Sequence, residues 1–124
     1  MKRLIATIAL AAAVLTVLLP GAVTAAQAST ISRANAVRSA KDYLQTMAFS
    51  RKGLIGQLRY EGYSAGDARY GASHAHANWM RQAVRAAKDY LHTMPFSRSG
   101  MVEQLEYDGF THGQALHGAR AAGL

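Results

Sequence analysis

Phe49-Ser50-Arg51-Lys52-Gly53-Leu54-Ile55-Gly56-Gln57-Leu58-Arg59-Tyr60-Glu61-Gly62-Tyr63-Ser64 returns 47 residues later as Phe96-Ser97-Arg98-Ser99-Gly100-Met101-Val102-Glu103-Gln104-Leu105-Glu106-Tyr107-Asp108-Gly109-Phe110-Thr111. Each copy spells the entry to a helix, its exit, and the entry to another. Ser50 is a good N-cap, because its hydroxyl can accept from a free amide of the first turn. Phe49 before the cap and Leu54 after it have the spacing of a hydrophobic staple. Leu54, Ile55 and Leu58 make a buried stripe, and Gly62 is a left-handed stop. Ser64 then caps a further helix, with Asp67 in a capping-box position. In the second copy Ser97 is the cap, Phe96 and Met101 the staple, and Gly109 the stop. Thr111 and Gln114 form the second capping box.

Working outward, residues 36–72 align with 83–119 without a gap, and 22 of 37 positions are identical, so the chain is a tandem repeat. A helix is predicted ahead of each motif, from about Ala34 to Met47 and from about Ala83 to Met94. Ala36, Ala40, Tyr43, Leu44 and Met47 share one face of the first, with Arg38, Lys41 and Asp42 opposite. Pro95 ends the second. The expected organisation is all-α: a signal peptide at 1–28, a three-helix unit at 34–73, a junction at 74–80 and a second three-helix unit at 81–122. The junction should be partly helical, with Trp79 as a plug between the units or, alternatively, an exposed anchor for a ligand.

The first 28 residues have the parts of an export signal. Lys2 and Arg3 precede the uncharged run Leu4–Leu19, Pro20 and Gly21 break it, and Ala26-Gln27-Ala28 is a small-x-small cleavage pattern. As a helix, Leu4–Leu19 would span about 24 Å, short of the bilayer core, although an uncleaved anchor extended through Val23 is the alternative. Membrane contact is expected only through this segment, if it is retained. The chain is therefore expected outside the cytoplasm, secreted or at the cell surface. It has no Cys, so neither a disulfide nor an acyl anchor on a lipobox cysteine is expected. Units of about 40 residues are marginal alone, so stability must come from docking or from a partner.

The formal charge is +7, which favours acidic partners. Arg38, Lys41, Arg51, Lys52, Arg59, Arg69, Arg85, Lys88 and Arg98 are the candidate binding surface, set against the alternative of an ordinary solvated face. The second unit is less basic, since Gly56, Arg59 and Arg69 are replaced by Glu103, Glu106 and Leu116. Those differences are where a specific function is expected. Phe49, Ser50, Gly62, Ser64, Phe96, Ser97, Gly109 and Thr111 read as structural instructions.

The pattern A-x-x-Y-L-x-x-x-x-F-S-x-x-G-L-x-x-Q-L-x-x-E-G-Y-S-x-x-D-A resembles the repeated helix-turn-helix-like domain of the Ltp family of host-cell-surface-exposed lipoproteins. The first unit carries it through Ala40, Tyr43, Leu44, Phe49, Ser50, Gly53, Leu54, Gln57, Leu58, Glu61, Gly62, Tyr63, Ser64, Asp67 and Ala68. In the second, Met101, Asp108, Phe110, Thr111 and Gln114 replace Leu, Glu, Tyr, Ser and Asp. The resemblance implies compact three-helix units displayed outside the membrane. For phage-encoded members it implies superinfection exclusion: blocking incoming DNA by binding the injection machinery, notably the tail tape-measure protein. An envelope or phage tail component is then the expected protein partner. The missing Cys and the basic surface depart from the family pattern.

No catalytic constellation is present, and neither enzymatic activity nor a cofactor is expected. Ser50 and Ser97 sit at caps and lack a G-x-S-x-G elbow. Glu103 and Glu106 share a helix face as ordinary solvated charge does. His74 and His76 form an H-x-H pair that His112 or His117 could join, but a zinc site wants three or four ligands, and no metal is expected. A DNA-reading helix would present Ala65, Gly66, Asp67 and Arg69, or His112, Gly113 and Gln114. Asp67 would oppose a phosphate, so sequence-specific DNA binding is not expected. Nonspecific binding of nucleic acid or anionic cell-wall polymers by the basic faces is the alternative function. Tyr43 and Tyr90, in the repeated Lys-Asp-Tyr, should bury their rings with the hydroxyl meeting backbone or solvent, and they offer a secondary recognition surface.

Overall fold

The computed structural model describes Gly21 and residues 23–124. The candidate signal run Leu4–Leu19 lies outside the described residues. The described residues form six α-helices and no strand: α1 Ala25–Thr46, α2 Arg51–Tyr60, α3 Ala65–His74, α4 Trp79–Thr93, α5 Arg98–Tyr107 and α6 His112–Ala121. Helices α1 to α3 make one unit and α4 to α6 its repeat. In each, the first and second helices both pack on the third. None of these helices is long and apolar enough to cross a membrane.

Local chemistry sets the boundaries. The Ser50 hydroxyl accepts from the Gly53 amide at 2.8 Å and the Ser97 hydroxyl from the Gly100 amide at 3.0 Å. Gly62 and Gly109 both have φ +102°, a conformation that glycine adopts without strain. The amides after them, of Tyr63 and Phe110, donate back to the carbonyls of Leu58 and Leu105, closing Schellman turns.

Three local features differ from the sequence expectation. Helix α1 starts at Ala25 rather than near Ala34, so Ser29–Arg33 is helical. The cause is a full capping box, with Thr24 accepting from the Gln27 amide and the Gln27 side chain accepting from the Thr24 amide. Asp67 makes only half of its expected box. Its amide donates to Ser64, but its carboxylate turns to Ser32 at 2.7 Å and Arg33 at 3.5 Å, holding α3 against α1. The junction is non-helical over 75–78, where His76 has φ 57° and Asn78 caps α4. Trp79 opens α4 yet packs on the core of the first unit, as a plug between units does.

The cores are thin. The large side chains fully buried are Leu54 and Leu58 in the first unit and Met101 and Leu105 in the second. The remaining buried positions are mostly alanine, so the helices must approach closely. A Cβ on Gly71 would lie 2.7 Å from the Ala36 carbonyl group, and one on Gly118 would lie 2.7 Å from the Ala83 oxygen. These crossings join α1 to α3 and α4 to α6.

A compact joint locks the units together. Ser50, only 2% exposed, donates to the Asp108 carbonyl at 2.6 Å while capping α2. Arg85 donates to the carbonyls of Leu44 and Gln45 at the end of α1. The Phe49 amide donates to the Gln82 side chain at 3.2 Å, and Ala48 packs on the second unit's core.

Two stability outcomes follow from this packing. Gly71→Ala or Gly118→Ala should cost about 2 kcal/mol or more by overpacking. Gly56→Ala, with open space around it, should instead stabilise by about 0.5–1 kcal/mol through helix propensity. Ser50→Ala should cost about 2 kcal/mol, a cap plus the joint bond, against about 1 kcal/mol for the exposed cap Ser97→Ala. Urea unfolding of the five variants checks both orders.

Candidate interaction surface

The repeat builds the same polar cluster twice, on the side of each unit where the first helix meets the turn after the second. Tyr90 Oη donates to Asp108 Oδ2 at 2.6 Å, and Gln104 Nε2 donates to both Tyr90 Oη and Asp108 Oδ1. In the first unit Tyr43 Oη donates to Glu61 Oε1, and Gln57 donates to Tyr43 Oη. The tyrosine hydroxyls thus bond carboxylates rather than backbone, part-buried at Tyr90 and exposed at Tyr43. Burial and the bond to Asp108 push the Tyr90 hydroxyl up to about 12. The bond to Glu61 raises that of Tyr43.

A shallow hollow adjoins each cluster. That of the first unit is lined by Ser39, Asp42, Tyr43, Thr46 and Glu61. That of the second is lined by the counterparts Ala86, Asp89, Tyr90 and Asp108, and is partly covered by Met47 and Ala48 of the first unit. The same chemistry is therefore walled by one unit alone in the first copy and by both units in the second. Both hollows are acidic, on a chain whose net charge is positive.

Arg38, Lys41, Lys52, Arg59, Arg69, Lys88 and Arg98 are exposed on helices of both units. Arg51 bonds Ser73, and Arg85 belongs to the joint. The helix that would read DNA presents Asp67 tied to Ser32 and Arg33, and Gln114 tied to Thr111. The His74 ring stacks on Tyr70 and its Nδ1 meets the Tyr70 carbonyl. Among the described residues no three His, Asp or Glu side chains gather as a metal would require.

Tyr60 and Tyr107 are the residues that sequence reasoning passed over. They occupy equivalent positions at the ends of α2 and α5 and are 86% and 89% exposed. Neither hydroxyl has a hydrogen-bond partner among the described residues. Exposed aromatics repeated at one position, contributing nothing to either core, suit contact with a protein. Their identity in both copies was the available signal.

The family model for host cell surface-exposed lipoproteins of the Ltp type matches the chain twice, over residues 32–74 and 78–118. The chain belongs to the Ltp family. The two matched segments coincide with the two three-helix units. Among solved structures the chain is similar to Ltp, a superinfection exclusion protein from the Streptococcus thermophilus temperate phage TP-J34, at 28% identity and a TM-score of 0.68. The match covers 72% of this chain and 93% of that one. No curated protein sequence matches.

The Tyr90 cluster has a pH signature. Its folded-state value lies above the ordinary tyrosine value, so the stability it contributes is present below about pH 10 and lost as pH rises toward about 12. Tyr90→Phe should be less stable than the parent at pH 8, and the gap should narrow by pH 11. Urea midpoints at the two pH values measure it.

Proposed function

We propose that the chain is exported, loses residues 1–28, and acts at the cell surface as a superinfection exclusion protein that binds a phage component and blocks DNA entry. The observation that carries this reading is the extent of the likeness to the phage TP-J34 protein, which spans both units and 93% of that chain. The family's description as host cell surface-exposed agrees with the signal-like leader. Exposed Tyr60 and Tyr107 and the open hollow at Tyr43 and Glu61 are the surfaces offered to a protein partner. Hot spots at interfaces favour aromatic side chains of this kind.

A second reading rests on the exposed basic side chains. Arg38, Lys41, Lys52, Arg59 and Arg69 make no hydrogen bond or ion pair among the described residues, which leaves them free for an anionic polymer. That binding would weaken steeply with salt through charge screening and counterion release, whereas a packed protein interface would persist.

The test is plating of a panel of temperate phages on a host displaying the chain. Plating efficiency and DNA entry should fall with adsorption unchanged, and Tyr60→Ala with Tyr107→Ala should restore both without loss of folding. Equal DNA entry with and without the displayed chain, across the panel, would refute exclusion.

A further inference from the structure

The joint between the two units is built from parts that the repeat duplicates, so each end of the chain carries an unused half of it. The joint has a delivering side, the end of α1 with the loop to α2, and a receiving side, α4 with the turn after α5. The delivering side exists again at the end of α4, and the receiving side again on α1.

The counterparts pair chemically. Ser50 donates to the Asp108 carbonyl, and its counterpart Ser97 is exposed while the Glu61 carbonyl has no partner among the described residues. Arg85 holds the last carbonyls of α1. Its counterpart Arg38 is exposed and unpaired among the described residues, and the matching carbonyls of Leu91 and His92 end α4. Cations are favourable at that end of a helix. Ala48 becomes Pro95, whose missing amide costs nothing, because the joint uses no bond from the Ala48 amide. Around Gly109 the approach of Ser50 and Lys52 leaves no room for a Cβ, whereas Gly62 has open space.

We infer that the chain self-associates head to tail, the Met94–Ser97 loop of one copy docking on the Arg38, Tyr43 and Glu61 face of the next. The occupant is a second copy because the equivalent face within the chain already seats the equivalent loop of this same sequence. The contact is heterologous, so it generates head-to-tail chains or rings rather than two-fold dimers. It is weaker than the internal joint for two reasons. The floor changes from Ala86 and Phe110 to Ser39 and Tyr63, whose hydroxyls bond each other at 3.0 Å. The internal joint also benefits from tethering, at an effective concentration on the order of millimolar. Residues Ala25–Ile31 have no counterpart ahead of α4, and cleavage after Ala28 removes most of them, so the exported protein is the form to test.

Sedimentation equilibrium over a rising concentration series, reaching about 1 mM, is the experiment. The average mass should climb past that of a dimer. Arg38→Glu disables the receiving face alone. Ser97→Asp keeps a good N-cap but sets a carboxylate against the Glu61 carbonyl, disabling the loop face alone. Each variant should stay monomeric by itself with an unchanged melting temperature, and an equimolar mixture should form a one-to-one dimer and nothing larger. A parent chain that remains monomeric throughout overturns the inference. So do variants that associate like the parent, or a mixture that stays monomeric.

Discussion

The close crossing of the first and third helices in each unit is the constraint on which the structure depends. With so few large side chains buried, the units gain little from any single burial, about 1.5–3 kcal/mol for each Leu or Met. Alanines supply the rest of each core, and they bring atoms into contact only if the backbones nearly touch. Gly71 against Ala36 and Gly118 against Ala83 make that approach. Once it is made, the second helix has a fixed floor, and Ser50 and Ser97 can set its entry angle.

Similar cores do not make the two copies equivalent. The loop after α1 lies on the second unit, burying Ser50 and half-covering the Tyr90 cluster. The matching loop after α4 meets solvent. One acidic hollow is therefore walled in part by the other unit and the other is not, whereas Tyr60 and Tyr107 are presented alike by both units. A chain built this way offers a protein partner two similar aromatic contacts on a rigid frame, which fits membership of a family that includes a superinfection exclusion protein.

The sequence made the local rules legible and hid the distant ones. Cap, staple and stop at Ser50, Phe49 and Gly62 involve neighbours within a few residues, so their spacing alone identifies them, and the duplication confirms them. Thr24 and Gln27 were harder, because Ala26-Gln27-Ala28 satisfies both a cleavage pattern and a helix start. Gly71 and Gly118 carried no such signal, since the partners that require them lie 35 residues away in the chain. Arg85 looked like surface charge for the same reason: the carbonyls it holds belong to the other unit. Asp67 kept its cap role by amide only, its carboxylate drawn to Arg33 across a helix contact that spacing does not reveal.

The most direct measurement of this account is native-state amide exchange at Gly53 and Gly100. Both amides donate to the hydroxyl of the serine that caps their helix, so local structure alone predicts equal protection. The joint buries Ser50 and leaves Ser97 in solvent, and therefore predicts markedly slower exchange at Gly53. Equal rates at the two positions would contradict a joint that locks the units and makes the two copies different.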